Sequence, residues 1–210
     1  MATLVILAVL ITLLVIVLMQ LFKKSTPPSA SASGPDLANL KVTDARLSDV
    51  LSISGAGDNM SDLDFTADRS TRFDIGTRRY LLLSGIYHER RVTLRIATDE
   101  DVEVSLDGDA RKLSLEDLGL AEEDLAEMDE RQNTADSFEF DGRVWLYRRS
   151  REVKAWRDDQ TQPTGFYYWE FQEQDGKRSL AFRKAEGEPF AVTLYTGIPA
   201  GDVTVYRGNP

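Results

Sequence analysis

Few side chains in this 210-residue chain are suited to catalysis. The sequence has one histidine, His88, and no cysteine, which excludes cysteine nucleophiles, disulfides and thiolate zinc sites. A catalytic histidine needs a nucleophile or an orienting carboxylate, and no motif supplies one for His88. We interpret His88 as a turn residue. The sequence contains no phosphate-binding loop, nucleophile elbow or dinucleotide fingerprint.

Carboxylates are concentrated in residues 114–130 (SLEDLGLAEEDLAEMDE), which hold eight of them and no basic residue. This pattern suits a metal site or an acidic docking face. It is also typical of a solvated helix whose acidic first turn complements the helix dipole. Asp107-Gly108-Asp109 begins like a calcium loop, but the remaining ligands are missing at the required spacing. We therefore predict no catalytic residue, no cofactor and no metal site.

Aromatic side chains crowd the stretch 166–171 (FYYWEF), which alternates like a strand. One face of that strand carries Tyr167, Trp169 and Phe171. The other face carries Phe166, Tyr168 and Glu170, and burying an unpaired carboxylate there would cost several kcal/mol. We therefore predict that the Trp169 face is buried. The side chains of the second face have two possible roles. They pack against side chains of neighbouring strands, or they belong to an interaction face formed by Phe166, Tyr168, Arg148 and Arg149.

Strands are the elements that must position these side chains, because period-two alternation dominates after residue 78. Predicted strands cover 79–87, 92–96, 102–106, 138–140, 143–149, 166–171, 178–183, 190–196 and 202–206. Asp141-Gly142 is a strong hairpin signal. This spacing predicts a mainly β fold, an antiparallel sandwich or open barrel.

One helical insertion interrupts the strands. Ser114 and Asp117 form a capping-box-like start, and Leu125 and Met128 give the segment a narrow apolar face. Because this insertion lies near the middle of residues 41–210, an alternative organisation is two β units joined by helix 114–130. In both organisations residues 41–210 form a soluble β-rich domain.

An anchor precedes that domain. Thr3–Phe22 has three polar residues and no charge, and a helix of that length is about 30 Å long, enough to span a bilayer. A buried core helix and a cleaved signal peptide ending at residues 30–32 are the alternatives. We predict a transmembrane helix over 3–22 and a flexible Pro/Ser/Ala linker over 23–40. Lys23 and Lys24 follow the span and predict a cytoplasmic C-terminal domain at the inner membrane.

The overall charge also limits the partners. The formal net charge is −10 and the pI is about 4.7, whereas nucleic-acid binding needs a cationic surface. We expect the lipid bilayer and another protein as partners, and no nucleic acid.

A family resemblance adds to this interpretation. The run 166–180 (FYYWEFQEQDGKRSL), together with Tyr195 and residues 202–206, resembles the C-terminal part of an uncharacterised bacterial family of membrane-anchored, β-rich proteins. Related genes lie among envelope or membrane-stress clusters. The resemblance implies a bacterial, β-rich and non-enzymatic protein, and it supplies no site residues.

The sequence thus favours a membrane-tethered, non-enzymatic β domain that serves as a protein-interaction or assembly module on the cytoplasmic face of the inner membrane. The alternative is a small-ligand or lipid-binding β-barrel whose aromatics line a cavity. An enzyme is a third hypothesis, which a cleft holding carboxylates beside His88 would favour.

The predicted orientation is testable with a reporter enzyme, active only in the cytoplasm, fused after Pro210. We expect an active reporter, because basic residues next to a span stay on the cytoplasmic side. Neutral replacements of Lys23 and Lys24, with basic residues added at the N-terminus, should reduce the reporter signal. Digestion of the C-terminal domain by external protease in intact cells would contradict the orientation.

Overall fold

The computed structural model describes residues 40–107, 109, 111–158 and 160–208. The predicted span 3–22 and the linker up to residue 39 lie outside them. Among the described residues, no helix is long and apolar enough to cross a membrane. These residues belong to one compact unit.

The described part of the chain forms twelve strands and one α-helix. The first six strands are β1 (Val50–Ile53), β2 (Leu63–Thr66), β3 (Arg69–Ile75), β4 (Arg78–Tyr87), β5 (Arg90–Thr98) and β6 (Val102–Asp107). The helix α1 (Glu122–Arg131) follows a 3-10 turn at Glu116–Leu118. The last six strands are β7 (Ser137–Phe140), β8 (Arg143–Arg157), β9 (Thr164–Glu173), β10 (Arg178–Lys184), β11 (Ala191–Ile198) and β12 (Val203–Tyr206).

Eight of these strands close into an antiparallel barrel in the order β3-β4-β5-β6-β11-β10-β9-β8, with β8 returning to β3. Each half of the sequence contributes one four-stranded meander, and the helical connection joins the two. The last strands of the two meanders, β6 and β11, pair with each other, and so do their first strands, β3 and β8. The β3–β8 seam is short, since it joins three residue pairs, from Thr71–Arg157 to Phe73–Ala155.

The mainly β fold predicted from the sequence is confirmed, and so is the hairpin at Asp141-Gly142, where both residues have positive φ. The barrel is closed, so neither a sandwich nor an open barrel describes it. Strands β1, β2 and β3 were not predicted. Strands β1 and β2 have only four residues each, which is too few to show a clear alternation. Strand β3 begins with the polar run RSTR, which hides the alternation of apolar and polar residues.

The outer surface of the barrel is apolar in two places, and a separate layer covers each. A three-stranded sheet, β12-β1-β2, packs Leu51 and Phe65 against Leu83 and Leu94 of the barrel wall. The approach is close at Gly85, where a Cβ atom would lie 2.2 Å from the Thr66 carbonyl oxygen. Burial on both faces of β4 explains its nearly continuous apolar sequence.

The second cover is α1 with the turn before it. Leu118, Leu125 and Met128 are buried against outward-facing aromatics of β8 and β9, as the predicted apolar face of residues 114–130 requires. The Ser114 hydroxyl accepts a hydrogen bond from the Asp117 backbone N–H at 3.2 Å, while the Asp117 carboxylate accepts one from the Ser114 N–H at 2.8 Å. The predicted capping box is therefore confirmed.

Both faces of β9 are buried over residues 168–171, whereas Tyr167, predicted to share the buried face of Trp169, is exposed. Trp169 is 6% exposed under α1, as predicted, and its indole N–H donates to the Leu125 carbonyl at 3.2 Å. Phe166 and Tyr168 are 5% and 2% exposed because they point into the barrel. The expected exposure of that face was wrong, since Glu170 is buried with partners rather than unpaired.

Alanine substitutions in β9 test this two-sided burial. Trp169→Ala and Tyr168→Ala should each lower the free energy of unfolding by about 3–5 kcal/mol, the usual range for removing a large buried aromatic. Tyr167→Ala is the control, because its side chain is 39% exposed and should cost about 1 kcal/mol or less. Denaturant unfolding of residues 41–210 measures all three. A Tyr168→Ala cost below that of Tyr167→Ala would contradict the inward orientation of Tyr168.

Candidate functional site

The interior of the barrel contains a buried ion pair. Arg95 of β5 and Glu170 of β9 are each about 7% exposed at the side chain, and Arg95 Nη1 lies 2.9 Å from Glu170 Oε1. Moving two such charges out of water costs several kcal/mol per ion. The pair therefore needs further hydrogen bonds to be stable there.

Neighbouring strands supply those hydrogen bonds. Arg95 donates from Nε to the Ser105 hydroxyl at 2.9 Å, from Nη2 to the Ser179 hydroxyl at 2.5 Å and from Nη1 to the Tyr168 oxygen at 3.2 Å. The Tyr80 hydroxyl donates to Glu170 Oε2 at 2.8 Å. Side chains from β4, β5, β6, β9 and β10 thus meet at one point. A one-residue shift of any of these strands would turn its partner out of the barrel.

Two tyrosines next to the pair stay protonated at neutral pH. Burial raises the pKa of Tyr195 to about 12 and holds the pKa of Tyr168 well above its ordinary value. The Arg95 guanidinium lies 4.3 Å from the centre of the Tyr195 ring, a favourable cation–π distance. Arg95 and both tyrosines border a space at one end of the barrel.

That end of the barrel is hollow, and we call the space the mouth cavity. Its volume is about 270 Å³. It lies where β4, β6, β8 and β10 end and β3, β5, β9 and β11 begin. Its lining residues are Arg69, Ser70, Thr71, Phe73, Leu82, Ser84, Arg91, Thr93, Arg95, Asp107, Arg157, Asp158, Tyr168, Ala181, Arg183, Thr193 and Tyr195.

The mouth cavity is cationic although the whole chain is acidic. Five arginines line it against two aspartates. Asp158 is held at the barrel seam, where its Oδ1 accepts the Ser70 N–H at 2.8 Å. Burial, with a smaller contribution from Asp109, raises the pKa of Asp107 to about 6. The lining therefore presents arginine N–H donors next to hydroxyl groups and aromatic rings.

The Arg95 cluster divides the barrel interior. At the opposite end a second space of about 410 Å³ is lined by Glu103, Gln172, Lys177 and again Arg95. Near this end Arg78 forms an ion pair with Glu103 through two hydrogen bonds. Because Arg95 borders both spaces, its network forms the floor of the mouth cavity.

The structure separates the four side chains of the predicted interaction face. Phe166 and Tyr168 lie inside the barrel, and Tyr168 borders the mouth cavity. The Nε atom of Arg149 lies 3.3 Å from Glu170 Oε2, whereas the Arg148 side chain is exposed. These four residues do not form one surface. A binding role for any of them stays a prediction.

Arg95, Arg157 and Arg183 were not predicted as site residues, and Asp107 was considered only as the start of a calcium loop. Arg95 alternates with Leu94 and Ile96 in β5, and such polar positions are ordinarily assigned to solvent. In a closed barrel covered from outside they face the interior instead. The sequence did contain one signal of a polar barrel interior, because many of the predicted strands carry polar side chains at alternate positions.

His88 lies in the turn between β4 and β5, as predicted. Its ring stacks on Tyr87 at 4.3 Å, and Nδ1 lies 3.4 Å from Asp58 Oδ2. The side chain is 69% exposed and does not line the mouth cavity.

Comparison with known proteins gives no relative of this barrel: no family model, no curated protein and no solved structure matches the chain.

Proposed function

We propose that this chain is a membrane-tethered, non-enzymatic barrel protein that binds a small ligand in the mouth cavity, on the cytoplasmic face of the inner membrane. The mouth cavity carries the proposal. An eight-stranded barrel is just wide enough either to be filled by side chains or to hold one small ligand, and here both ends contain open space, with the arginines concentrated in the mouth cavity. Barrel mouths are common ligand sites.

The size and lining of the cavity limit the ligand. At about 270 Å³ it lies just below the usual range of about 300–1,000 Å³ for small-molecule sites, which suits a small metabolite rather than a lipid with long acyl chains. The lining mixes aromatic rings with hydroxyl groups and arginines. Such a lining orients a polar molecule better than a hydrocarbon chain.

We rank protein interaction, the first function predicted from the sequence, below ligand binding. Its predicted surface required exposed aromatics, and Phe166 and Tyr168 are buried. The family resemblance of the β9–β10 region extends the proposal to a ligand that reports on the envelope or on membrane stress. The tether would hold the barrel close to the bilayer where such a signal arises.

A cavity-blocking substitution tests the proposal. The full-length protein in detergent is incubated with a bacterial metabolite extract, washed and denatured, and the released small molecules are identified by mass spectrometry. We expect the wild type to retain a compound and Thr193→Trp to lose it, because Thr193 lines the mouth cavity. Thr196→Trp is the control, since Thr196 is exposed on the same strand.

Two results would reject this function. One is a wild-type protein that retains no compound. The other is a Thr193→Trp variant that folds normally and retains the compound as well as Thr196→Trp does.

A further inference from the structure

Arg157 and Arg183 occupy a special place in the mouth. Both line the mouth cavity, and both also line an adjoining cavity of about 240 Å³ between the end of β8 and the β10–β11 connection. Arg157 ends β8 and Arg183 precedes the last residue of β10. Two guanidinium groups thus border two neighbouring spaces that a small molecule can enter.

The arginines of the mouth fall into two classes. Arg91 is neutralised by Asp68 at 2.6 Å and Arg95 by Glu170 at 2.9 Å. Within the described part of the chain, no carboxylate lies within 4.0 Å of the cationic groups of Arg69, Arg157 or Arg183. Arg183 lies instead over the Phe166 ring at 5.5 Å.

Within the described residues, no nearby acidic group forms an ion pair with either arginine. Asp158 accepts the Ser70 N–H at the seam, and Asp107 forms no ion pair with either arginine among the described residues. The adjoining cavity also contains Glu186 and Glu188, and neither is paired with Arg157 or Arg183 in the described structure. Residues 41–210 carry 34 acidic and 23 basic side chains, yet the exposed Arg157 and the half-buried Arg183 have no carboxylate within 4.0 Å among the described residues.

We infer that Arg157 and Arg183 bind the anionic group of the ligand, a phosphate or carboxylate, while the body of the ligand lies in the mouth cavity. Guanidinium is planar and donates two parallel hydrogen bonds to either group. The partly enclosed cavity strengthens such contacts relative to open water. This inference rests on the proposed function, since both place the ligand in the mouth cavity.

Calorimetric titration of the full-length protein in a neutral detergent at low salt tests the inference. The probes are inorganic pyrophosphate, succinate and the neutral succinamide. We expect pyrophosphate or succinate to bind and succinamide not to bind. Binding of pyrophosphate alone assigns a phosphoryl group, and binding of succinate alone assigns a carboxylate. Failure of both anions, or equal binding of succinamide, would overturn the inference.

Substitutions locate the site of binding. The double variant Arg157→Gln/Arg183→Gln should weaken anion binding by about 10-fold or more, because charge-assisted hydrogen bonds are lost. Arg148→Gln is the matched control, since Arg148 is an exposed arginine of the same strand and lines neither cavity. Unchanged melting curves establish that the variants fold. Equal losses in the control and the double variant would show non-specific attraction and reject the site.

The metabolite-extract experiment separates failure of this inference from failure of the proposed function. A wild-type protein that holds an uncharged compound, lost in Thr193→Trp, would reject the anionic ligand and leave the barrel function standing. A wild-type protein that holds no compound would reject both.

Discussion

A buried arginine–glutamate pair constrains the rest of this structure. Arg95 and Glu170 lie inside a closed barrel, where each charge costs several kcal/mol unless it is paired and hydrogen-bonded. The pair and its hydrogen-bond partners together come from five strands, so the pair is stable in one register of the barrel. Losing Glu170 would leave Arg95 uncompensated in the barrel interior, and losing Arg95 would leave Glu170 with the half-buried Arg149 at 3.3 Å.

The same pair organises the hollow space around it. Because the Arg95 network fills the middle of the barrel, the two ends are separate cavities with different linings. Tyr168 and Tyr195, which both contact Arg95, also line the mouth cavity. The interior also contains a buried cluster with Phe73, Leu82 and Phe166, and the apolar side chains on the outside of the wall are covered by the small sheet and α1.

The sequence predicted most of the fold but not its closure. Alternation in residues 92–106 and the Asp141-Gly142 turn identified strands correctly, because these signals are local. Glu170 was assigned to the outside because its partner Arg95 lies 75 residues away, and no local pattern shows such a pairing. The mouth was missed for the same reason: its arginines lie on β3, β5, β8 and β10 and come together only when the two meanders close into one barrel.

A double-mutant cycle on Arg95 and Glu170 is the most direct test of whether the buried pair stabilises the barrel. Unfolding of residues 41–210 is measured for the wild type, Arg95→Met, Glu170→Leu and the double variant. We predict that each single substitution costs about 3–5 kcal/mol. The double variant should cost less than the sum of the two by about 2 kcal/mol or more, because it leaves neither charge unpaired. Costs that add to within about 0.5 kcal/mol would contradict the central role of the pair.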